Sequence, residues 1–344
     1  MDAELHDDEV RVGGDARQRF HDARGYGRPL EGNRIALDPL EAAHLLYRGD
    51  IAAVDGMDFR AFLASRPAGF APRFLVYLDL RDRGFYLSPA REGWVADSED
   101  VDLVVYPRGK GPGDGAVAHR VRVVGERTDV AADSLGDQVL AVVDEEGDLT
   151  YLDVSPLEPE GGTEVDLGGP VDGALLDDRV VVWDPPEPLH ERAFYGKPLE
   201  GRAAAYEALH LSLVEGAYLA ARGLLELPEG RGVEALVEHG RRVEGERFDR
   251  RLRAYSALRD RGAVPKTGFK FGADFRVYRE VTSAEDLGHS ELLVRVVPND
   301  VAFDPRDLAL DVRLAHGVRK RMVFALDAAN EDTIQWRAVS RLTP

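Results

Sequence analysis

No cysteine occurs anywhere in the 344 residues. That rules out disulfides, thiolate nucleophiles and cysteine-ligated zinc or iron–sulfur sites. Nine histidines are present, but none falls in the HxxxH or HExxH spacing that sets metal ligands on one helix face. No metal and no other cofactor is therefore expected. Long apolar runs are missing too: nothing approaches the roughly 20 residues that a membrane-spanning helix needs. The start, MDAELHDDEV, lacks the basic and apolar regions of a secretory signal. A cytoplasmic protein with no membrane partner is the expectation.

Lysine is scarce and arginine common, and 63 acidic residues outnumber 44 basic ones, for a net charge of −19. Such a balance ordinarily argues against a nucleic-acid partner. Here the acidic residues are spread along the whole chain rather than gathered in a tail. That pattern suits a surface kept hydrated in very high salt and resembles the proteins of halophilic archaea; an ordinary acidic protein is the rival explanation. In molar salt the counterion-release gain from phosphate contacts shrinks steeply. An RNA-binding protein there should rely on shape, stacking and preorganised arginines.

The length allows about two ordinary domains, and motifs recur in order. YGRPLEG at Tyr26–Gly32 returns as YGKPLEG at Tyr195–Gly201. EAAHL at Glu41–Leu45 returns as EALHL at Glu207–Leu211, and LRDRG at Leu80–Gly84 returns unchanged at Leu258–Gly262. Two copies mean a duplicated domain rather than a solenoid. The expected fold class is α/β (α+β), each copy an N-terminal α/β lobe followed by a mixed-sheet nuclease-like lobe. The expected divisions are residues 1–68 and 69–157 for copy one, and 158–247 and 248–344 for copy two. Helices are expected at Pro39–Arg48, Phe59–Ser65 and Arg73–Arg83, then at Arg202–Arg222, Gly232–Arg241, Phe248–Arg261 and Asp304–Val318. VDLVVY (Val101–Tyr106), HRVRVV (His119–Val124), ADFRVY (Ala273–Tyr278) and ELLVRVV (Glu291–Val297) alternate as strands. Each copy then ends in a hairpin, turning at Glu146-Gly147-Asp148 and at Asn330-Glu331-Asp332. Ser155–Pro170, rich in Pro, Gly and Glu, reads as the linker. RGKGPGDG (Arg108–Gly115) lacks the ending and the following helix of a phosphate loop, so a plain loop is expected.

Copy two also carries a phenol, an imidazole and an ammonium: Tyr278, His289 and Lys320. Taken singly, each has a structural explanation, as an edge aromatic, a turn histidine and a solvated cation at a helix C-terminus. Copy one keeps Tyr106 in the place of Tyr278 and has His119 near the place of His289. Asp137 or Gln138 stands where Lys320 would be, and the acidic loop Gly125–Gln138 replaces the copy-two helix. Copy one therefore reads as structural and copy two as active.

GFKFGADFRVY (Gly268–Tyr278), HSELLV from His289 and RLAHGVRKRMV (Arg313–Val323), in this order on a duplicated chain, resemble the archaeal tRNA-splicing endonuclease family. The similarity is to its form with two fused copies that works as a homodimer. The resemblance implies metal-independent cleavage of precursor tRNA at bulge–helix–bulge junctions, through attack of a ribose 2′-hydroxyl. The ends would be a 2′,3′-cyclic phosphate and a 5′-hydroxyl. Tyr278 would be the general base, His289 the general acid and Lys320 the stabiliser of the charged phosphorus. A phenol is ionised only about one part in a thousand at pH 7, so a nearby cation is wanted; an imidazole is well placed to donate near neutrality.

The same resemblance implies two arginines that sandwich a flipped-out base. Arg313 and Arg341 are the candidates, with Arg319 and Arg337 as substitutes and surface ion pairing as the alternative. It also implies an acidic loop on copy one that docks into a positive pocket of the second chain, through Asp129 and Asp133. A non-catalytic RNA-binding or scaffold subunit of the same fold is a competing function, and a metal-dependent nuclease, which needs a carboxylate cluster, a third.

Overall fold

The computed structural model describes residues 3–96, 98–201, 204–228, 231–328 and 333–344. The chain divides into two compact units. One holds residues 1–155 with 302–309 and 341–344; the other holds 156–301 with 310–340. Among the described residues no helix is long and apolar enough to cross a membrane.

In the first unit Ala3–His6, Glu9–Val12, Ile35–Leu37 and Arg28–Pro29 form an antiparallel sheet. Helices Pro39–Tyr47 and Phe59–Ala64 follow. Helix Phe70–Asp82 then leads to strands Leu87–Pro89, Leu103–Val105, His119–Gly125, Gln138–Val143 and Leu149–Pro156. All are antiparallel to their neighbours except His119–Gly125 and Gln138–Val143, which run parallel. The second unit repeats this plan. Its first sheet runs Lys197–Gly201, Ala204–Ser212, Arg179–Trp183, Val171–Leu175 and Leu225–Glu226. Helices Leu213–Ala221, Val233–Glu244 and Arg247–Arg259 come next. Strands Val264–Thr267, Phe275–Tyr278, Leu292–Pro298, Arg321–Asp327 and Gln335–Leu342 close the plan, again with one parallel pair. This is the mixed α/β architecture expected from the alternating strands and amphipathic helices.

The duplicated motifs have a structural cause. Arg81 of the first LRDRG is half-buried, with its guanidinium 3.9 Å from the Tyr26 ring centre; it donates to Tyr77 Oη and to the Arg24 carbonyl. Arg259 repeats these three contacts with Tyr195, Tyr255 and the Ala193 carbonyl. LRDRG therefore clamps the turn made by YG(R/K)PLEG. The glycine of that turn is obligatory: Gly27 and Gly196 have φ of 60° and 56°, and a Cβ would lie 2.2 Å from the Ala36 oxygen or 2.7 Å from that of His210.

The EAAHL–EALHL match does not survive. Glu41 is the third residue of helix Pro39–Tyr47, closing a capping box with Asp38 and accepting from Gly27 N at 2.7 Å. Its structural partner is Glu215, third residue of helix Leu213–Ala221, boxed with Ser212 and accepting from Gly196 N at 3.0 Å. Glu207–Leu211 lies instead on a strand, and the helix expected from Arg202 starts only at Leu213 (Arg202 and Ala203 lie outside the described residues). Ser212 supplies the N-cap. Upstream of it, pairing with strands on both sides overrides the helix propensity of alanine and leucine. The turn at Asn330-Glu331-Asp332 lies outside the described residues.

The two equivalent carboxyls have opposite electrostatics. Burial pushes Glu41 up to about 7, only partly countered by its backbone hydrogen bonds. Burial acts the same way on Glu215, but Lys266, 2.8 Å away, and the hydrogen bonds more than offset it and bring the carboxyl down to about 2. The strand register explains the difference. Ser88 faces Val104, as Lys266 faces Arg276, so copy one has a serine where copy two has the cation. With its folded-state pKa raised, Glu41 contributes stability that is complete below about pH 4.5 and lost as pH rises through about 7. Urea titrations should show a decline on the order of 3 kcal/mol between pH 5 and 8 that Glu41→Gln removes. Equal slopes in both proteins would refute this.

Candidate active site

Three neighbouring strands end together in the second unit. Phe275–Tyr278 runs antiparallel to Leu292–Pro298, which runs parallel to Arg321–Asp327. The C-terminal end of the first and the N-terminal ends of the other two therefore share one edge. Val277 stands opposite Leu292, and Leu292 opposite Arg321. Tyr278 and Lys320 thus flank the chain that leads from His289 into the middle strand. At about 4.8 Å per strand spacing, their backbones are about 10 Å apart.

Each side chain is placed by a different device. Tyr278 is buried at 5% exposure, its ring edge-on to Phe194 with centroids 5.8 Å apart, in a small cluster with Val264 and Val281. Its strand is pinned at the start by buried Asp274, which accepts from Val296 N and from Arg247. His289 lies on the exposed loop before Leu292, with no hydrogen bond to its ring among the described residues. Lys320 follows helix Pro305–Gly317 through Arg319, which takes a left-handed φ of 57°. Its ammonium donates to the Ser290 carbonyl at 2.6 Å and lies 5.7 Å from the centre of the Phe271 ring. Lysine and histidine are thereby tied together, one peptide apart.

Arg276 was not foreseen. Its guanidinium lies 5.7 Å from the Tyr278 ring centre, and its Nε is buried with no hydrogen-bond partner among the described residues. Partial burial, and then Arg276, pull the Lys320 ammonium below the ordinary lysine range, with Glu291 partly offsetting. The only sequence signal was an arginine inside an alternating strand, two residues before the tyrosine.

The register also corrects the comparison of the copies. Leu87 and Pro265, each three residues past the glycine of LRDRG, stand opposite Val105 and Val277. Those residues face His119 and Leu292. His119 therefore matches Leu292, three positions beyond His289. Val121 pairs with Val139 and Val294 with Val323, so counting back three residues from each places Gly136, not Asp137 or Gln138, at the Lys320 position. Apolar alternation sets this register, and counting through loops of unequal length cannot recover it.

Arg313 is exposed on helix Pro305–Gly317, but Lys320 lies beyond the helix end, so the two do not share a helical face. Arg341 is exposed near the end of strand Gln335–Leu342 and is grouped with the first unit. Asp129 and Asp133 are exposed on a loop pinned by buried Val130, Ala132 and Leu135. Among the described residues no group of three or more His, Asp or Glu side chains could hold a metal ion. A cavity of about 600 Å³ in the second unit is lined by five basic side chains, among them Lys266, Arg251 and Arg276, and three acidic ones. In a chain of net charge −19 that local balance is unusual.

Comparison with known proteins bears on this geometry. Residues 248–336 match the family model of the tRNA intron endonuclease catalytic C-terminal domain, and residues 1–63 and 171–237 match its N-terminal domain. The tRNA-splicing endonuclease of Halobacterium salinarum is 62% identical over 344 residues, the whole of both chains. The chain belongs to the tRNA intron endonuclease family. The Haloarcula marismortui tRNA-splicing endonuclease is 59% identical, again over the whole of both chains, and that of Methanosarcina acetivorans is 38% identical over 99% of each. The N-terminal model matches twice, as the duplication requires, and the catalytic model covers Tyr278, His289 and Lys320. The strong halophilic relatives also fit the acidic, lysine-poor composition.

Proposed function

We infer that this endonuclease, acting in the cytoplasm, cuts precursor tRNA at bulge–helix–bulge exon–intron junctions without a metal. The reading is supported by strand register that brings the backbones of Tyr278 and Lys320 to one sheet edge on either side of the chain leading from His289, in the copy with the catalytic-domain match. Tyr278 takes the proton of the ribose 2′-hydroxyl as the 2′-oxygen–phosphorus bond forms. The bond from phosphorus to the 5′-oxygen breaks, and protonated His289 gives its proton to that oxygen. A 2′,3′-cyclic phosphate and a 5′-hydroxyl result. Lys320 spends one of its three N–H donors on Ser290, leaving two for the phosphoryl oxygens. Arg276 holds its guanidinium 5.7 Å from the Tyr278 ring centre, beside the proposed base. Arg313 and Arg341 are assigned to the flipped-out base, by cation–π stacking.

Incubation with a bulge–helix–bulge RNA in EDTA and molar salt tests this reading. Two cuts with cyclic-phosphate ends are expected. Intact RNA under these conditions would favour the scaffold reading, and cleavage lost only on adding EDTA the metal-dependent one.

The same reading makes the active form a homodimer in which Asp129 and Asp133 of one chain enter the basic cavity of the other. Both acids are exposed and, among the described residues, have no cation of their own, and Arg276 lines the cavity with an Nε that has no partner among those residues. Asp129→Lys with Asp133→Lys should turn the dimer into a monomer by light scattering and depress cleavage. An unchanged molar mass would remove this assignment.

A further inference from the structure

Phe269 is 85% exposed, the most exposed large apolar side chain among the described residues. It does not sit on a loose loop. It opens a single 3-10 turn, Phe269–Phe271, in which Phe271 N donates to the Gly268 carbonyl at 2.8 Å and Gly272 N to that of Phe269 at 3.2 Å. Phe269 N donates in turn to Thr267 Oγ1 at 3.3 Å. Gly268 admits no side chain, since a Cβ there would stand 2.8 Å from the Ala273 oxygen, and Gly272 closes the turn at φ 69°. A phenyl ring is therefore held in water at a fixed place, forgoing the stabilisation that burial would bring.

What lies beside it is informative. Phe271, from the same turn, faces the Lys320 ammonium at 5.7 Å, and exposed Lys270 stands between the two rings in sequence. The chain has only five lysines, and three of them, Lys266, Lys270 and Lys320, belong to this region. Copy one offers a contrast. Its segment between Leu87–Pro89 and Leu103–Val105 also carries an aromatic, Trp94, but Arg28 and Arg91 cover that ring at 5.5 and 5.1 Å. Among the described residues Phe269 has no such cover.

We propose that Phe269 is a stacking platform for an unpaired RNA base close to the cleaved phosphodiester, with Lys270 meeting a phosphate beside that base. The proposal rests on the endonuclease reading above and concerns a base other than the one assigned to Arg313 and Arg341. A single exposed ring, with Gly268 before it and Lys270 after it in the chain, suits one π-face of a base. A protein partner would call for a contiguous apolar patch. Stacking also suits the solvent, because it does not depend on counterion release and survives the salt that weakens phosphate contacts.

The test uses a bulge–helix–bulge RNA with 2-aminopurine at one bulge position, bound to cleavage-deficient His289→Ala protein. Binding should quench the fluorophore. Adding Phe269→Ala should abolish the quench and weaken binding about five- to hundredfold, by the same factor at about 1 M and about 3 M KCl. Phe269→Trp should preserve both signals, and Phe269→Leu should not. Unchanged binding and quenching in Phe269→Ala, or full retention in Phe269→Leu, overturns the platform alone. A change in molar mass with RNA binding intact also overturns it, assigning the ring to a protein contact. Failure of the parent His289→Ala protein to bind the RNA overturns the endonuclease reading and the platform with it.

Discussion

His289→Ala should cleave a bulge–helix–bulge RNA about 10²–10⁴-fold more slowly than the parent chain, the usual range for a lost general acid. RNA binding should change by no more than about twofold, because the effect belongs to the transition state. The structure favours a clean result: the imidazole is exposed, makes no hydrogen bond among the described residues and supports no core packing. Lys320→Ala should lose about 10²–10³-fold, as for removal of a single oxyanion donor. It also frees the Ser290 carbonyl, so some loss of order at His289 is expected with it. His119→Ala is the internal control, and its rate should stay at the parent value. Single-turnover kinetics at saturating protein would decide the matter, and parent rates in His289→Ala would end its assignment as the acid.

The largest expected effect on stability comes from Lys266→Met. Lys266 and Glu215 form an ion pair with side chains only 10% and 8% exposed, and the lysine also donates to the Gly196 carbonyl. Burial alone lowers Lys266 and raises Glu215; their mutual attraction and hydrogen bonds keep Glu215 ionised. Removing the cation leaves a buried carboxylate unpaired, a change that typically costs about 3–5 kcal/mol. Glu215 would then resemble Glu41, whose copy carries Ser88 at the lysine position. With its folded-state pKa depressed, Glu215 in the parent chain contributes stability above about pH 4.5 that is lost as pH falls through about 2. The methionine variant should reverse this, becoming more stable as pH falls below neutrality. Adding Glu215→Gln should recover part of the loss, since a neutral amide can be buried more cheaply than a lone charge. Urea midpoints at pH 5 and 8 would show both effects, and a Lys266→Met protein as stable as the parent would refute the account.

Much of the fold was legible because its signals are local. Asp38-Pro39 with Glu41 announces a helix start through side-chain-to-backbone bonds within four residues. LRDRG and YGxPLEG recur because the same half-buried arginine clamps the same turn in both copies. The misread strand at Ala204–Ser212 lies where local preference and tertiary pairing disagree, and pairing prevailed. The EALHL match failed for a related reason: five similar letters fell on a strand in one copy and a helix in the other. Arg276 and Phe269 escaped notice because an arginine in a strand and a phenylalanine in a turn are common. Only their surroundings make them unusual.

The order of motifs along the chain, by itself, determined the duplication, the family and which three side chains are proposed to react. Tertiary structure alone decided that a parallel strand pair brings His289 and Lys320 to the edge where Tyr278 ends, with Arg276 beside them. It also decided that Lys266 rather than Ser88 neutralises the buried carboxyl of its copy. The physical reason is that side-chain chemistry is written residue by residue. Charge pairing and strand register arise only when segments far apart in the chain are closed against one another.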